Sequence, residues 1–323
     1  MSNADKIFVD MCQKILNEGT DTKGEKVRPT WKDTGESAYT KKIFGHVAKY
    51  DLRKEFPAIT LRRTAIKSAI NEILWIFQKK SNNINDLKPH IWDSWADKNG
   101  SIGKAYGYQI GKEFVHHTKT YRMDAELAEE VKNLVKEDLK TMFMKPVCDD
   151  YKNTAITIPK QMDQMDAVLY DLKNSPFSRR ILTNMYNHQD LHEMSLYPCC
   201  WSCTFNVTDE GGDKLVLNMV LNQRSNDVLA ANNWNVVQYA ALLMMVAQSV
   251  GMVAGTLLHV IADAHIYDRH IPIVEELITR QQYDAPTVTL DPDIKDFYEF
   301  TEDSFIIENY QHGEQITNIP IAV

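Results

Sequence analysis

The sequence predicts an α+β protein, because short strand-like segments surround one long apolar helix without a regular alternation of strands and helices. The helix is expected over residues 235–250. The clearest strands are expected over residues 201–207 and 214–222, on either side of the turn-forming segment 209–213. The length of 323 residues allows two domains or a single large one.

In the N-terminal part of the chain, the spacing of apolar residues predicts two helices. One covers residues 5–17 and the other covers residues 64–78, where apolar side chains recur at helical spacing. The polar segment 20–35 is expected to be a loop. Residues 123–145 carry many charges of both signs and predict a solvated helix, within an insertion or excursion at about residues 111–160.

The C-terminal part predicts further elements on both sides of the long helix. A helix is expected over residues 161–172 and a short strand over residues 180–186. After the long helix, residues 263–267 alternate as an extended segment. Residues 268–282 are amphipathic and predict a last helix.

The composition excludes several classes of protein. The net charge of −8 and the pI of about 5.7 argue against a general nucleic-acid binder, which would carry a basic surface. The longest clean apolar run, residues 240–247, is too short to cross a bilayer, and the N-terminus lacks the apolar core of a secretion signal. We therefore expect a cytoplasmic protein, without a membrane partner, whose five cysteines are reduced.

Three of the five cysteines cluster in residues 198–203, Pro-Cys-Cys-Trp-Ser-Cys. One interpretation is a strand that buries small side chains, since free cysteine is often found in protein cores. The other is a nucleophilic Cys199, which would need a neighbouring cation to favour its thiolate. A CxxxC spacing without nearby paired Cys or His is poor for zinc, so no metal is expected.

Arginines occur just before and after this segment, in Ser178-Arg179-Arg180 and Gln223-Arg224-Ser225. They could form surface salt bridges. However, they lie at the ends of predicted strands, where an anion site can form, and guanidinium groups suit phosphate oxygens. A phosphate site beside a thiol points to a nucleotide or a sugar phosphate as substrate.

Two further polar groups could bind such a substrate. Alternation places His265 and Tyr267 on one face of an extended segment, as a half-buried strand or as ligands of a sugar hydroxyl. Asn235, at the start of the long helix, could cap that helix or present its amide to the edge of a base.

In combination, these motifs resemble those of the thymidylate synthase family and follow the family's order along the chain. Each alone is a weak signal. Further matching segments extend the resemblance almost from end to end, at residues 43–46, 72–75, 91–96, 106–107 and 320–323. The resemblance implies a single α+β domain over residues 1–323, in a homodimer whose mixed sheets pack back to back, with helices on the other face. Residues 111–160 remain unmatched.

The resemblance also implies the reaction. The Cys199 thiolate would add to C6 of dUMP, and C5 would then attack the methylene group of the co-substrate 5,10-methylenetetrahydrofolate. Loss of the C5 proton and hydride donation by the folate would yield dTMP and dihydrofolate. The implied catalytic residues are Cys199, Glu72, Asp227, Arg224 and Tyr106.

The resemblance implies two sets of binding residues. For dUMP these are Arg28, Arg179, Arg180, Gln223, Arg224, Ser225, Asn235, His265 and Tyr267, with Arg179 and Arg180 donated by the partner subunit. For the folate these are Arg62, Trp92, Trp95, Asp227, Ala231 and Ala322. The apolar C-terminal tail is expected to be disordered until it closes over a bound ligand.

Three positions depart from the common family pattern. Cys200 replaces the usual His, Asn222 replaces the usual Tyr, and residues 230–234, Ala-Ala-Asn-Asn-Trp, replace Leu-Gly-x-Pro-Phe. These departures keep open a dUMP hydroxymethylase of the same fold, in which water replaces the hydride. Asn235, Trp92 and the C-terminal Pro-Ile-Ala-Val favour methylation. A third alternative, an RNA-binding protein using the arginines, conflicts with the acidic net charge.

Overall fold

A seven-stranded sheet forms the framework of the computed structural model, which describes residues 2–88, 91–123 and 154–323. Two smaller two-stranded sheets accompany it. The strands are β1 (Thr20–Asp21), β2 (Thr40–Asp51), β3 (Phe114–Met123), β4 (Thr154–Met162), β5 (Leu182–Asn184), β6 (Cys200–Thr208), β7 (Val216–Gln223), β8 (Asn226–Asp227), β9 (Val253–Tyr267), β10 (Thr287–Leu290) and β11 (Phe305–Glu308).

The main sheet has the order β1-β2-β9-β7-β6-β5, and β8 also pairs with β9. It is mixed, because β9 runs parallel to β7 and β8 and antiparallel to β2. The predicted hairpin is confirmed as β6–β7, which pairs from Thr208 and Val216 at the turn to Cys200 and Gln223 at the far end. This register brings the cysteine segment and the Gln-Arg-Ser segment to the same edge of the sheet.

The helices complete an α+β fold, which confirms the predicted class. The longest helix, α5, is buried around most of its circumference, and this explains why it is apolar on all sides. It packs against both the sheet and α2. The helices are α1 (Asn3–Glu18), α2 (Ile66–Phe77), α3 (Gly107–Ile110), α4 (Gln164–Asn174), α5 (Asn232–Ser249) and α6 (Ile271–Leu277).

Several predicted boundaries differ from the structure. Helix α4 begins at Gln164 rather than at 161, because Asp163 accepts the N–H groups of Met165 and Asp166 and so caps the helix. The last predicted helix is shorter, a 3₁₀ turn at Asp268–His270 followed by α6. The predicted strand at 180–186 contains only the three residues of β5.

The excursion at about residues 111–160 begins and ends as an antiparallel ribbon of β3 and β4. The predicted solvated helix at 123–145 lies outside the described residues, apart from Met123 at the end of β3. Strand β2, by contrast, was not predicted as an element, although it forms the most extensive pairing of the sheet, with β9.

The face of the main sheet that points away from α2 and α5 carries apolar side chains. Phe44 and Val47 on β2 are 94% and 60% exposed, and Val47 pairs with Val260 on β9. In the adjacent row, Leu258 on β9 pairs with Val220 on β7, and both are half-buried. We call this surface the outer sheet face. Among the described residues, no helix is long and apolar enough to span a membrane.

Candidate active site

Cys199 lies immediately before β6, beside the residue that follows β7. The guanidinium of Arg224 donates to the carbonyl of Tyr197 at 2.7 Å and to that of Pro198 at 3.1 Å, and it lies 3.7 Å from the Cys199 sulfur. The backbone N–H of Arg224 donates to the Cys199 carbonyl at 3.0 Å. The cation predicted from sequence is therefore held against the thiol by the hairpin register.

Burial raises the pKa of the Cys199 thiol above its ordinary value, while the positive charges of Arg224 and Arg28 oppose that rise. The sequence led us to expect a cation that favours the thiolate, and the structure contains two. The two arginines only partly offset the cost of burying the Cys199 thiolate, so the thiol is not ionised by them alone at neutral pH.

The other two cysteines of the segment are buried. Burial raises the pKa of Cys200 well above its ordinary value and that of Cys203 to about 12. Both side chains pack in the apolar core. The core interpretation of the cysteine segment thus holds for these two residues, and Cys199, which is half-buried, is the accessible thiol.

Tyr106 contacts Cys199 from the opposite side. Its hydroxyl oxygen accepts the backbone N–H of Cys199 at 3.2 Å, and its ring packs edge-on against Trp92. Its backbone φ of 47° lies in the left-handed region, which is unusual for a bulky side chain and costs about 1–3 kcal/mol. Such strain is concentrated at functional sites, which agrees with the catalytic role expected for Tyr106.

Glu72, on α2, carries a buried carboxyl group between two indole rings. The Nε1–H of Trp92 donates to Oε1 at 2.8 Å, and the Nε1–H of Trp234 donates to Oε2 at 2.5 Å. Burial raises the pKa of Glu72 to about 7, and hydrogen bonds from Trp234, Trp92 and Gln238 oppose that rise. A carboxyl group with this pKa can accept and donate protons near neutral pH.

The side-chain amide of Asn235 is oriented by two glutamines. Its Oδ1 accepts from Gln223 Nε2 at 3.1 Å, and its Nδ2 donates to Gln238 Oε1 at 3.1 Å. Gln223 is itself held by the carbonyl of Ser225, which accepts from Nε2 at 3.0 Å, and by His259, which lies 2.7 Å from Oε1. Asn235 therefore presents one orientation of its amide to the site.

His265 and Tyr267 share one face at the end of β9, as alternation predicted, and their rings are 5.1 Å apart. His265 Nδ1 lies 2.8 Å from Asp263 Oδ1, which leaves Nε2 for other partners. Burial raises the pKa of Tyr267 to about 12, with smaller contributions from charges that include Asp227 and Arg28. Tyr267 and Arg28 thus belong to the same electrostatic environment as Cys199.

Asp227, on β8, is surrounded by donors and cations. Burial would raise the pKa of Asp227, but His270, His265 and the N–H of Ala230 outweigh burial and hold that pKa below its ordinary value. Arg62 is buried nearby and donates to the carbonyl of Leu229 at 2.5 Å. Asp227 is accordingly an ionised acceptor at neutral pH.

The remaining residues expected to bind folate come from three parts of the chain. Ala231 directly precedes α5, and its N–H donates to the backbone carbonyl of Asp227 at 2.9 Å. Trp95 packs against Trp92 with ring centroids 5.6 Å apart. Ala322, in the C-terminal tail, forms a bridge with Trp31.

The C-terminal tail is docked on the segment that follows Arg28. Val323 and Thr30 exchange two backbone hydrogen bonds of 2.9 Å, and the N–H of Lys32 donates to Ile321. His270 lies 2.8 Å from the carbonyl of Pro320. The expectation of a tail that is disordered by itself is therefore not met, because backbone pairing with residues 30–32 holds it in place.

Arg179 and Arg180 do not join this cluster. Both are exposed, and neither forms an ion pair within the described part of the chain. Arg180 lines a separate cavity of about 680 Å³, together with Lys112, His116 and Tyr186. Within the described part of one chain, the cations that act on Cys199 are thus Arg28 and Arg224.

The site combines four features: an accessible thiol beside two cations, a carboxyl group whose pKa is about 7, an amide held in one orientation, and an ionised carboxylate. They belong to Cys199, Glu72, Asn235 and Asp227. Within the described residues, no group of three or more His, Cys, Asp or Glu side chains is arranged to hold a metal ion. These features are typical of an enzyme that uses a cysteine nucleophile on an anionic substrate, and they lie in a mixed α+β fold.

Comparison with known proteins agrees with this class. A family model for thymidylate synthase matches residues 6–323. The thymidylate synthase of Bacillus licheniformis is 36% identical over 320 residues, which cover 98% of each chain, and that of Bacillus phage phi3T is 33% identical over 319 residues with the same coverage. The structure of thermostable thymidylate synthase A from Bacillus subtilis superimposes with a TM-score of 0.79 at 33% identity, over the whole of both chains.

The chain belongs to the thymidylate synthase family. The resemblance identified from the sequence is thus confirmed, and thymidylate synthase is favoured over the hydroxymethylase alternative.

Sequence reasoning missed several residues that shape the site. Trp234 was noted only as part of a departure, and Gln238, His259 and His270 were not considered. Gln238 could have been found, because it lies three residues after Asn235 and so on the same helical face. His259 and His270 gave no such signal, since their partners are distant in sequence.

Proposed function

We propose that this protein catalyses the reductive methylation of dUMP to dTMP, with 5,10-methylenetetrahydrofolate as co-substrate and dihydrofolate as second product. The observation that carries the proposal is the half-buried Cys199 thiol with Arg224 3.7 Å from its sulfur, in a chain of this family. Glu72 and Asn235, the groups that would move protons and recognise a pyrimidine, are linked to each other through Gln238, which hydrogen-bonds with both side chains.

The Cys199 sulfur would bond to C6 of the uracil ring, and its proton would leave as Arg224 and Arg28 stabilise negative charge. Addition at C6 places electron density on C5 and O4. Glu72, with its pKa of about 7, would relay protons at O4 and N3 as this charge develops and disappears. Tyr106 would hold the backbone of the nucleophile through its 3.2 Å bond.

The phosphate and the sugar of dUMP would be bound by two neighbouring groups of residues. Arg28, Arg224 and Ser225 would hold the phosphate, and His265 and Tyr267 would bind the ribose 3′-hydroxyl. His265 is suited to this task because Asp263 orients its ring at 2.8 Å. Because the positive charge of Arg28 acts on both Cys199 and Tyr267, a phosphate bound by Arg28 would lie within reach of both.

The folate would lie beside the nucleotide, between the tryptophans and the tail. Trp92, Trp95 and Ala322 would form apolar walls, and the ionised Asp227 would accept N–H groups of the pterin ring. Arg62, with Leu229 as its partner, would lie towards the glutamate end of the cofactor. Asp227 and the Arg62 partner Leu229 directly precede residues 230–234, one of the places where this chain departs from the common pattern.

Asn235→Asp is expected to shift substrate preference from dUMP towards dCMP. The amide can donate to O4 and accept from N3–H of uracil, whereas cytosine presents the reverse pattern. Gln223 and Gln238 oppose a flip of the amide, so kcat/KM for dUMP should fall at least about a hundredfold in the variant. Competition between the two nucleotides measures the preference, and an unchanged preference would mean that another group recognises the base.

We propose that the functional unit is a homodimer formed by the outer sheet face. That face exposes Phe44 and Val47 in a sheet whose other side is covered by helices. Contiguous exposed apolar surface of this kind is typical of protein interfaces. Arg179 and Arg180, exposed and unpaired within the described residues, would cross the interface to the phosphate of the partner's site.

Mixing two inactive variants tests this arrangement. Dimers of Cys199→Ser and of Arg179→Ala/Arg180→Ala should regain activity after subunit exchange, because one site of each heterodimer has its own Cys199 and the partner's arginines. Random exchange should restore about a quarter of wild-type activity. As a control, Cys199→Ser mixed with Asn235→Asp should not recover, since both residues serve the same site. No recovery in the first mixture would mean that one chain binds the phosphate alone.

Turnover of dUMP with 5,10-methylenetetrahydrofolate tests the proposed function directly. Dihydrofolate formation is followed by its near-ultraviolet absorbance, and the nucleotide product is identified by its mass. A product of dTMP with stoichiometric dihydrofolate is expected. Hydroxymethyl-dUMP without dihydrofolate would instead establish the hydroxymethylase alternative. We also propose a cytoplasmic location, which the free thiols of Cys199, Cys200 and Cys203 support.

A further inference from the structure

The Glu72 carboxyl group is held by an indole N–H on each of its two oxygens. We call Trp92 and Trp234 together the indole clamp. The three residues come from different parts of the chain: Glu72 from α2, Trp92 from the loop before α3, and Trp234 from the first turn of α5. Glu72 is buried, with 6% of its surface exposed.

We propose that Trp234 is a positioning residue for Glu72, which holds the carboxyl group in one orientation and stabilises its ionised form for proton transfer. This inference rests on the proposed function, in which Glu72 relays protons. An indole N–H can only donate, and its planar ring cannot rotate the donor away once it is packed. The bond from Trp234 to Oε2 therefore favours the carboxylate over the carboxylic acid, whose protonated oxygen could not accept as well.

Two departures from the family pattern meet at this carboxyl group. Trp234 replaces a Phe, which has no donor, and Cys200 replaces a His, which has one. The charge of Glu72 is one of the causes that raise the pKa of Cys200, so the two side chains lie near each other. A buried thiol, however, is only a weak hydrogen-bond donor. Trp234 thus gives the Glu72 carboxyl group a strong hydrogen-bond donor, which its neighbour Cys200 cannot provide.

Within the part of the chain that the structure describes, the groups that face Glu72 carry no compensating positive charge. The titratable ones are Tyr106, Cys200 and Tyr239, and burial raises the pKa of each well above its ordinary value, so all three are neutral at pH 7. The hydrogen bonds from Trp234, Trp92 and Gln238 are then the main stabilisation of the carboxylate against burial. Removing the Trp234 donor should raise the pKa of Glu72 and reduce the ionised fraction at pH 7.

Indole ¹⁵N–¹H resonances of the protein without substrates provide the test. The chain has six tryptophans, and the signals of Trp92 and Trp234 should titrate with a common midpoint near pH 7. Both titrations should disappear in Glu72→Gln. Trp234→Phe should remove one of the two signals and move the midpoint seen at Trp92 upward by about one pH unit. Trp95→Phe is the matched control, because Trp95 packs on Trp92 without donating to Glu72, and it should leave the midpoint unchanged.

An unchanged midpoint in Trp234→Phe would overturn the proposal, as would a Trp234 signal that does not follow Glu72 in the wild type. If Trp234→Phe does not fold, the wild-type and Glu72→Gln spectra still show whether the Trp234 signal follows the titration of Glu72. In turnover, Trp234→Phe should lower kcat about fivefold at pH 7 with little change in KM, and kcat should recover at higher pH. Failure of the proposed function would appear separately, as wild-type protein that forms no dTMP.

Discussion

Cys199→Ser is expected to abolish dTMP formation while leaving dUMP binding intact. An alcohol is a much weaker nucleophile than a thiol, because its pKa is far higher and it is scarcely ionised even beside two cations. We expect kcat to fall at least about 10⁴-fold. Binding should persist, since Arg224 and Asn235, which we propose to bind the phosphate and the base, are unchanged. Dihydrofolate absorbance measures the first effect, and calorimetry with dUMP measures the second.

Cys200→Ser is the matched control, at the adjacent position on the same segment. Its side chain is buried in the core, and burial raises the pKa of its thiol well above the ordinary value, so the variant should retain most of the activity. A covalent adduct with dUMP, detected by mass spectrometry of the wild-type protein, should map to Cys199. An adduct at Cys200 would contradict the assignment of the nucleophile.

The hairpin and the two principal helices could be predicted from sequence because their signals are local. A Gly-Gly turn between two apolar runs specifies β6 and β7, and uninterrupted apolar spacing specifies α2 and α5. Strand β2 has no comparable signal. It alternates polar and apolar residues irregularly around Gly45, and its stability comes from pairing with β9, more than 200 residues away.

The chemistry of the site was partly predictable for a similar reason. Cys199, Arg224 and Asn235 stand in short motifs whose residue types suggest their tasks. The electrostatics were not predictable, because they depend on burial. The sequence suggested cations that favour a thiolate, whereas in the folded protein burial outweighs Arg224 and Arg28 and raises the pKa of Cys199. The bond from Trp234 to Glu72 joins residues 162 positions apart and could be found only in the fold.

Deletion of Val323 should separate the first half of the reaction from the last. Val323 makes two 2.9 Å backbone hydrogen bonds with Thr30, so its removal detaches the end of the tail from the segment beside Arg28. Cys199 addition and loss of the C5 proton depend on Arg224, Glu72 and Asn235, and these residues remain. Release of tritium from C5-labelled dUMP should therefore continue, while dTMP formation should fall at least about a hundredfold.

We expect the loss of dTMP formation because water reaches the reaction intermediate. The exocyclic methylene formed on the nucleotide is electrophilic, and it survives until hydride transfer only if the closed tail excludes solvent. With the tail detached, water should capture this carbon and hydroxymethyl-dUMP should accumulate. Trp92→Ala should act in the same direction, because it removes a wall beside the carbon. Val323→Ala is the matched control: it keeps both backbone bonds to Thr30 and should keep most of the hydride transfer. If the truncated enzyme forms dTMP at the wild-type rate, the tail does not exclude water, and the packing of the tryptophans alone must protect the methylene.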